Sequence, residues 1–132
     1  MFNQFPDFDP KGYPLKILNE RYSFTAEETW PETCLRVAKQ MAMAEVPEKQ
    51  KYYEELFYEI LHKNLFIGGG RIMYNSGRVS PQLLNCFVLD PNKDTKEGWG
   101  NTAKNMIVVS MTGGGCGDDF SDVRPRGASI NG

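Results

Sequence analysis

The N-terminal half of the chain repeats its apolar residues with the period of an amphipathic helix. One such run predicts a helix over 30–45, and Thr29 before it and Glu32 in its first turn have the spacing of a capping box. Pro47 ends this pattern and opens a second helical run. The apolar stripe of the second run consists of Tyr53, Leu56, Phe57, Ile60 and Leu61. We expect the two helices to form a hairpin that buries their facing stripes.

Proline and aromatic residues dominate the segment before this hairpin. Three prolines interrupt residues 1–24, and four aromatic residues precede Pro14. Because proline fixes φ and lacks an N–H donor, the pattern predicts an extended arm whose aromatic side chains pack on the body. A short turn of helix is expected around 15–21.

The pattern changes after residue 65. Three consecutive glycines, 68–70, argue against a stable helix and permit close approach to the backbone. The apolar run LLNCFVL, 83–89, is typical of a short strand buried on both faces.

A helix and a second strand are predicted to follow. Either Asp94 or Thr95 caps the helix, and the glycines at 113–115 end it. The segment CGDDFSDV predicts a strand, and RPRGAS predicts a loop. Strand, helix and strand make a βαβ unit, which implies a parallel sheet with more strands than these residues supply.

Composition and charge exclude several classes of protein. The chain has 132 residues, 40% hydrophobic and 24% charged, as one globular domain requires. A net charge of −2 argues against a nucleic-acid partner or a polybasic membrane surface. No apolar run approaches the ~20 residues that span a bilayer, and no signal peptide is visible. We therefore expect no membrane association and a cytoplasmic location.

Three widely spaced cysteines, Cys34, Cys86 and Cys116, do not form a secreted disulfide framework. We expect free thiols unless a reaction oxidises them. The sequence stops at Gly132 without a closing helix or a charged tail, and we expect it to be a piece of a longer protein.

Common ligand-binding motifs do not match. A zinc site is not expected, because His62 is the single histidine and no CxxC pair occurs. His62 is predicted to be solvated or to cap a helix. The GGGCG run lacks the Lys-Ser/Thr of a P-loop and follows a helix instead of opening one. The carboxylates of Asp118, Asp119 and Asp122 do not have the spacing of a calcium loop.

Cys86 has two possible roles. A cysteine within an apolar strand is most often a small buried hydrophobic residue, and a buried thiol is unreactive. The alternative is that its sulfur takes part in redox chemistry. The residues around it leave both roles open.

Several segments together resemble the large catalytic subunit of ribonucleotide reductases. They are GRIMYNSGR, QLLNCFVL and TGGGCGDDFSDVRPRGASING, with an upstream helical region that begins at NERYSF. The resemblance covers nearly the whole chain after the first fifteen residues and is nearest to the adenosylcobalamin-dependent class II enzymes. The acidic CGDDF segment departs from the family pattern.

The resemblance implies an α/β fold, in which a helical segment precedes the opening β-α-β portion of a ten-stranded α/β barrel. Residues 1–65 would be the arm and helical hairpin, and residues 66–132 the first strands and helix of the barrel. The implied reaction is a radical replacement of the ribose 2′-hydroxyl by hydrogen. Cys86 matches the first cysteine of the reducing pair. The second cysteine and the radical cysteine are expected beyond Gly132, since Cys34 and Cys116 do not match them.

The resemblance also implies roles for other residues. Substrate-binding positions are Asn85, Met73, Ser76, Gly115 and Gly117. Effector-binding positions are Asp94, for the sugar, and Arg124 and Arg126, for the phosphates. The alternatives are a helix cap for Asp94 and a solvated loop for the two arginines. No metal ligand is implied.

The implied partners are a ribonucleotide substrate, a dNTP effector, the C-terminal remainder of the reductase and a thioredoxin-type reductant. Adenosylcobalamin is the implied cofactor of the complete enzyme, without being bound by these residues alone. Two alternatives stay open: a class I large subunit that requires a metal-containing radical subunit, and a non-catalytic binding or scaffold domain derived from the barrel.

Overall fold

The computed structural model describes residues 2–90 and 93–129. The chain divides into two compact units, Met1–Leu83 (unit 1) and Leu84–Gly132 (unit 2). The last three residues of the segment TGGGCGDDFSDVRPRGASING, 130–132, lie outside the described residues. None of the helices in the described ranges is long and apolar enough to cross a membrane.

Unit 1 is helical. Its four helices are α1 (Tyr13–Arg21), α2 (Trp30–Ala42), α3 (Pro47–His62) and α4 (Gly70–Asn75). The predicted capping box forms at the start of α2: the Thr29 N–H donates to Glu32 Oε2 at 2.8 Å, and the Thr29 hydroxyl donates to the same oxygen at 2.7 Å. Helices α2 and α3 pack together, which confirms the predicted hairpin.

The core of unit 1 lies between the hairpin, the N-terminal arm and α4. Its buried side chains are Leu18, Trp30, Cys34, Val37, Leu61 and Met73. The prediction for the arm is confirmed for Phe8, whose ring meets the Trp30 ring edge-on at 5.8 Å between centroids, but not for Tyr13, which is 72% exposed. Burial of each such apolar side chain stabilises the unit by about 1.5–3 kcal/mol.

Unit 2 is a small strand–helix–strand unit. Its described residues form β1 (Cys86–Val88), α5 (Lys96–Met111) and β2 (Gly115–Gly117), with β1 and β2 paired in parallel. The predicted βαβ order and parallel pairing are therefore confirmed. Thr95 caps α5, since its hydroxyl accepts from the Gly98 N–H at 2.9 Å.

Several predicted details of the elements are wrong. The helix predicted over 30–45 ends at Ala42. A helix, α4, begins at the third glycine of 68–70, because a glycine in the first turn costs less than one in a helix interior. It also packs on α2, so unit 1 continues to Leu83 and includes residues 66–83.

The strands also differ from their prediction. The strand β1 is exposed, with Val88 92% accessible, because the described part of unit 2 supplies only one strand beside it. The strand β2 is three residues long, so most of CGDDFSDV lies outside it. His62, predicted to be solvated or to cap a helix, is the last residue of α3, and its side chain is only 17% exposed and stacks on the Tyr58 ring at 5.1 Å between centroids. These two strands neither confirm nor contradict the predicted ten-stranded barrel.

Candidate functional site around Cys86

The two paired strands place Cys86 in a defined register. Cys86 lies opposite Gly115, Phe87 opposite Cys116, and Val88 opposite Gly117. The Gly115 N–H donates to the Asn85 carbonyl oxygen at 2.9 Å. The site residues predicted at 85, 86, 115 and 117 are therefore brought together by one parallel ladder.

Alternation of side chains separates the two faces of this ladder. Cys86 and Val88 point to one face, on which β2 presents only the glycines opposite them. Phe87 belongs to the other face, on the side of α5: a Cβ atom at Gly114 would lie 2.9 Å from the Phe87 ring and 3.0 Å from Val109 Cγ1. Cys86 thus faces away from the helix and is exposed.

Neither of the other two cysteines is placed to pair with Cys86. Cys116 lies on the Phe87 face, opposite to that of Cys86. Cys34 is fully buried in unit 1, where desolvation raises the pKa of its thiol to about 12. Because the thiolate is the reactive form of cysteine, Cys34 is unreactive in the folded chain.

A second group of polar residues surrounds the start of α5. The Asp94 carboxylate accepts from both the Nε and the backbone N–H of Arg124, the latter at 3.0 Å. Arg124 also donates from Nη2 to the Asp94 carbonyl at 2.9 Å and from Nη1 to the Ser129 carbonyl at 2.6 Å. The two hydrogen bonds that its carboxylate accepts from Arg124 are the main reason that the pKa of Asp94 is lowered to about 2. Asp94 therefore pairs with Arg124, whereas the cap of α5 is Thr95.

Trp99 is a member of this group that the sequence did not reveal. Its indole N–H donates to Asp94 Oδ1 at 3.3 Å, and its ring stacks on Phe120 with 5.8 Å between centroids. Helical spacing could not have indicated this contact, because Asp94 precedes α5 and side chains face each other on a helix at offsets of three and four residues. Arg126, the other predicted phosphate ligand, lies exposed in the following turn.

Met73 and Ser76, predicted at the substrate, belong to unit 1. Met73 is buried in its core, and Ser76 is fully buried with its hydroxyl donating to the Ile72 carbonyl at 2.6 Å. Their role toward a substrate stays a prediction. In the described ranges, no group of three or more His, Cys, Asp or Glu side chains is arranged to hold a metal ion.

Comparison with known proteins identifies the family. The family model "Ribonucleotide reductase, all-alpha domain" matches residues 9–81, more than half of the chain. The chain belongs to the ribonucleotide reductase family. The predicted resemblance to the large subunit is confirmed at the level of the family, and the helical unit 1 corresponds to the all-alpha domain of that family.

Similar proteins are large subunits of ribonucleoside-diphosphate reductases. Those of Plasmodium falciparum (isolate FCR-3 / Gambia), Schizosaccharomyces pombe and Arabidopsis thaliana are 32%, 31% and 31% identical to this chain over 75 residues. Each alignment covers 57% of this chain and 9% of the relative.

These relatives overturn one prediction. They are class I-type large subunits, which do not depend on adenosylcobalamin. The predicted cofactor is therefore wrong, and the nearest likeness is not to the class II reductases. The motifs that led to the prediction surround Cys86 and the predicted effector positions, and none of these residues was expected to bind the cofactor.

Proposed function

We propose that this chain is part of the large subunit of a class I-type ribonucleotide reductase, and that Cys86 is one of two thiols that reduce the substrate. The single observation that carries the proposal is the exposed sulfur of Cys86 on a strand face that glycines leave bare. Membership of the family and the names of the relatives support a ribonucleoside diphosphate as the substrate.

The proposed step balances as a two-electron reduction. Two thiols lose two electrons and two protons and form one disulfide bond. The ribonucleotide gains them as its 2′-hydroxyl leaves as water and a hydrogen replaces it. A dithiol protein of the thioredoxin type then reduces the disulfide. In the complete enzyme the partner thiol would come from a part of the large subunit that these 132 residues do not include, as would the remaining barrel strands.

An effector nucleotide is proposed to bind beside α5. A cavity of about 310 Å³ there is lined by Asp94, Thr95, Lys96, Trp99 and Arg124. An arginine fork suits phosphate oxygens, and a carboxylate suits sugar hydroxyls. Because Arg124 is already engaged by Asp94 and Ser129, a bound effector would have to replace some of these hydrogen bonds.

The test of the redox role is Cys86→Ser in the complete large subunit, assayed with its radical-supplying subunit and a thioredoxin system. Serine cannot form a disulfide, so deoxyribonucleotide formation should fall by at least about a hundredfold, as when one member of a catalytic set is removed. The melting temperature should barely move, because Cys86 is exposed.

Cys116→Ser is the matched control for this experiment. Its side chain lies one register position away and on the opposite face of the same two strands, so the variant should turn over like the wild type. Turnover by Cys86→Ser at the rate of this control would refute the proposed role.

A further inference from the structure

Gly115 stands closest to the sulfur of Cys86 on the neighbouring strand. A Cβ atom at residue 115 would lie 3.3 Å from Cys86 Sγ, tighter than most contacts that a methyl group makes in proteins. The backbone of Gly115 does not require glycine, since the positive φ angles among the described glycines occur at Gly12, Gly77, Gly113 and Gly127. The conformation of the strand therefore does not explain the glycine, whereas the contact with sulfur does.

Gly117 provides an internal comparison. It lies two residues along the same strand, on the same face, opposite Val88. A Cβ atom there would meet none of the described atoms within 4 Å. Of the two glycines on this face, only Gly115 borders the thiol.

We propose that Gly115 is a positioning residue for the thiol chemistry of Cys86: the missing side chain keeps open the path by which a second sulfur atom reaches Sγ. The inference rests on the proposed redox role of Cys86. Disulfide formation brings two sulfur atoms to bonding distance, with their Cβ atoms about 3.5–4.5 Å apart. A methyl group on Gly115 would occupy space beside Sγ that the incoming sulfur and its substituents need.

The experiment measures the reactivity of this thiol in the full chain and does not require turnover. In a Cys116→Ser background, Cys86 is the accessible thiol, because Cys34 is fully buried. The probes are a bulky aromatic disulfide, dithiobis(nitrobenzoate), and the small reagent methyl methanethiosulfonate. In each reaction the Cys86 thiolate attacks a sulfur atom, one S–S bond forms, another S–S bond breaks, and the leaving group departs with the electron pair.

Gly115→Ala should lower the rate constant with the aromatic disulfide by about fivefold or more, equivalent to ~1 kcal/mol in the activation barrier. The rate with the small reagent should fall less, so the ratio of the two rates should drop. Gly117→Ala should keep the ratio of the parent chain. A stability effect alone would not change this ratio in the folded state, because both reagents report the same thiol.

Equal ratios in the two variants would overturn the proposal. Unfolding of Gly115→Ala cannot imitate the expected result, because an unfolded chain exposes its thiols and reacts faster; a faster reaction would also count against the proposal. The result is independent of the test by Cys86→Ser. A dropped ratio with an active Cys86→Ser enzyme would refute the redox role, and with it the purpose proposed for Gly115, while its effect on access to the thiol would stand; an unchanged ratio with an inactive enzyme would refute only the role of Gly115.

Discussion

Arg36 shows how one side chain connects distant parts of unit 1. Its Nε donates to Glu28 Oε1 at 2.7 Å, and its Nη groups donate to the carbonyls of Tyr22 at 3.1 Å, Met73 at 3.1 Å and Ser76 at 2.7 Å. The side chains of Arg36 and Glu28 are only 11% and 10% exposed. The positive charge of Arg36 can be buried because the Glu28 carboxylate neutralises it and the three carbonyl oxygens accept from its remaining N–H groups.

Asp94 makes unit 2 sensitive to acid. The pKa of its carboxyl is about 2 in the folded chain and 3.8 in the reference state. A carboxyl with a lowered folded pKa stabilises the fold above the unfolded value, and this contribution disappears as the pH falls from about 4 to about 2. The contact with Arg124 should therefore hold at neutral pH and fail in strong acid.

We predict that the melting midpoint of unit 2 falls between pH 4 and pH 2 in the wild type and falls less in Asp94→Asn, which lacks the titrating group. The indole N–H signal of Trp99 in NMR spectra reports this midpoint. Asp9→Asn, at an exposed carboxylate of unit 1, is the control and should keep the wild-type profile. The same acid response in wild type and Asp94→Asn would contradict the assignment.

At the scale of elements, the start of α5 depends on a close backbone contact. Gly98 donates its N–H to the capping hydroxyl of Thr95. A Cβ atom on Gly98 would lie 2.0 Å from the Lys93 carbonyl oxygen, whereas one on Gly100 would meet none of the described atoms within 4 Å. Replacement of glycine by alanine should therefore destabilise α5 at position 98 and stabilise it at position 100.

Gly98→Ala should destabilise α5 by about 1–3 kcal/mol, since the backbone must move to relieve the overlap. Gly100→Ala should stabilise it by roughly 0.5–1 kcal/mol, because alanine loses less backbone entropy in a helix. Thermal melting followed at the Trp99 indole signal measures both. A stabilised Gly98→Ala, or two variants with equal midpoints, would show that the contact with Lys93 does not govern the cap.

The sequence predicted most elements because their signals are local. The capping box at Thr29, the stop at Pro47 and the apolar stripe before Lys63 each act within one or two turns of helix. The contacts of Arg36 could not be predicted, because its partners lie up to 40 residues away in the chain. The helix α4 was missed because glycine propensity was weighed without its packing on α2.

At the scale of the whole molecule, the two units differ in their cores. Unit 1 buries a cluster of apolar side chains. In the described part of unit 2, Thr102 and Gly114 are the buried residues, and Ile107, Val108 and Met111 of α5 are more than half exposed. Burial of apolar surface is the main source of stability, so unit 2 should open more readily than unit 1.

Hydrogen–deuterium exchange tests this difference. Backbone amides of α2 and α3 should exchange at least about tenfold more slowly than those of α5 and β1, because local opening is easiest where few apolar contacts are lost. Exchange of the unfolded chain, measured in denaturant, gives the intrinsic rate of each peptide, by which its rate in the folded chain is divided. Equal protection in the two units would mean that unit 2 is stabilised by contacts beyond those described.

The sequence motifs predicted only part of the candidate site. The sequence predicted the strand–helix–strand order and the parallel pairing, but it did not predict the register that brings Cys86 beside Gly115. The error about adenosylcobalamin has a physical reason: none of the residues around Cys86 and Asp94 was expected to bind the cofactor, so their pattern does not encode it.

The parallel pairing of β1 with β2 bears on the order in which the polypeptide becomes structured during synthesis. Neighbouring helices such as α2 and α3 can meet as soon as both have left the ribosome. Strand β1, which carries Cys86, cannot form its ladder until α5 and the following strand β2 have been synthesised. The nascent chain therefore carries this thiol without its glycine-bordered surroundings for a time, until the ladder closes.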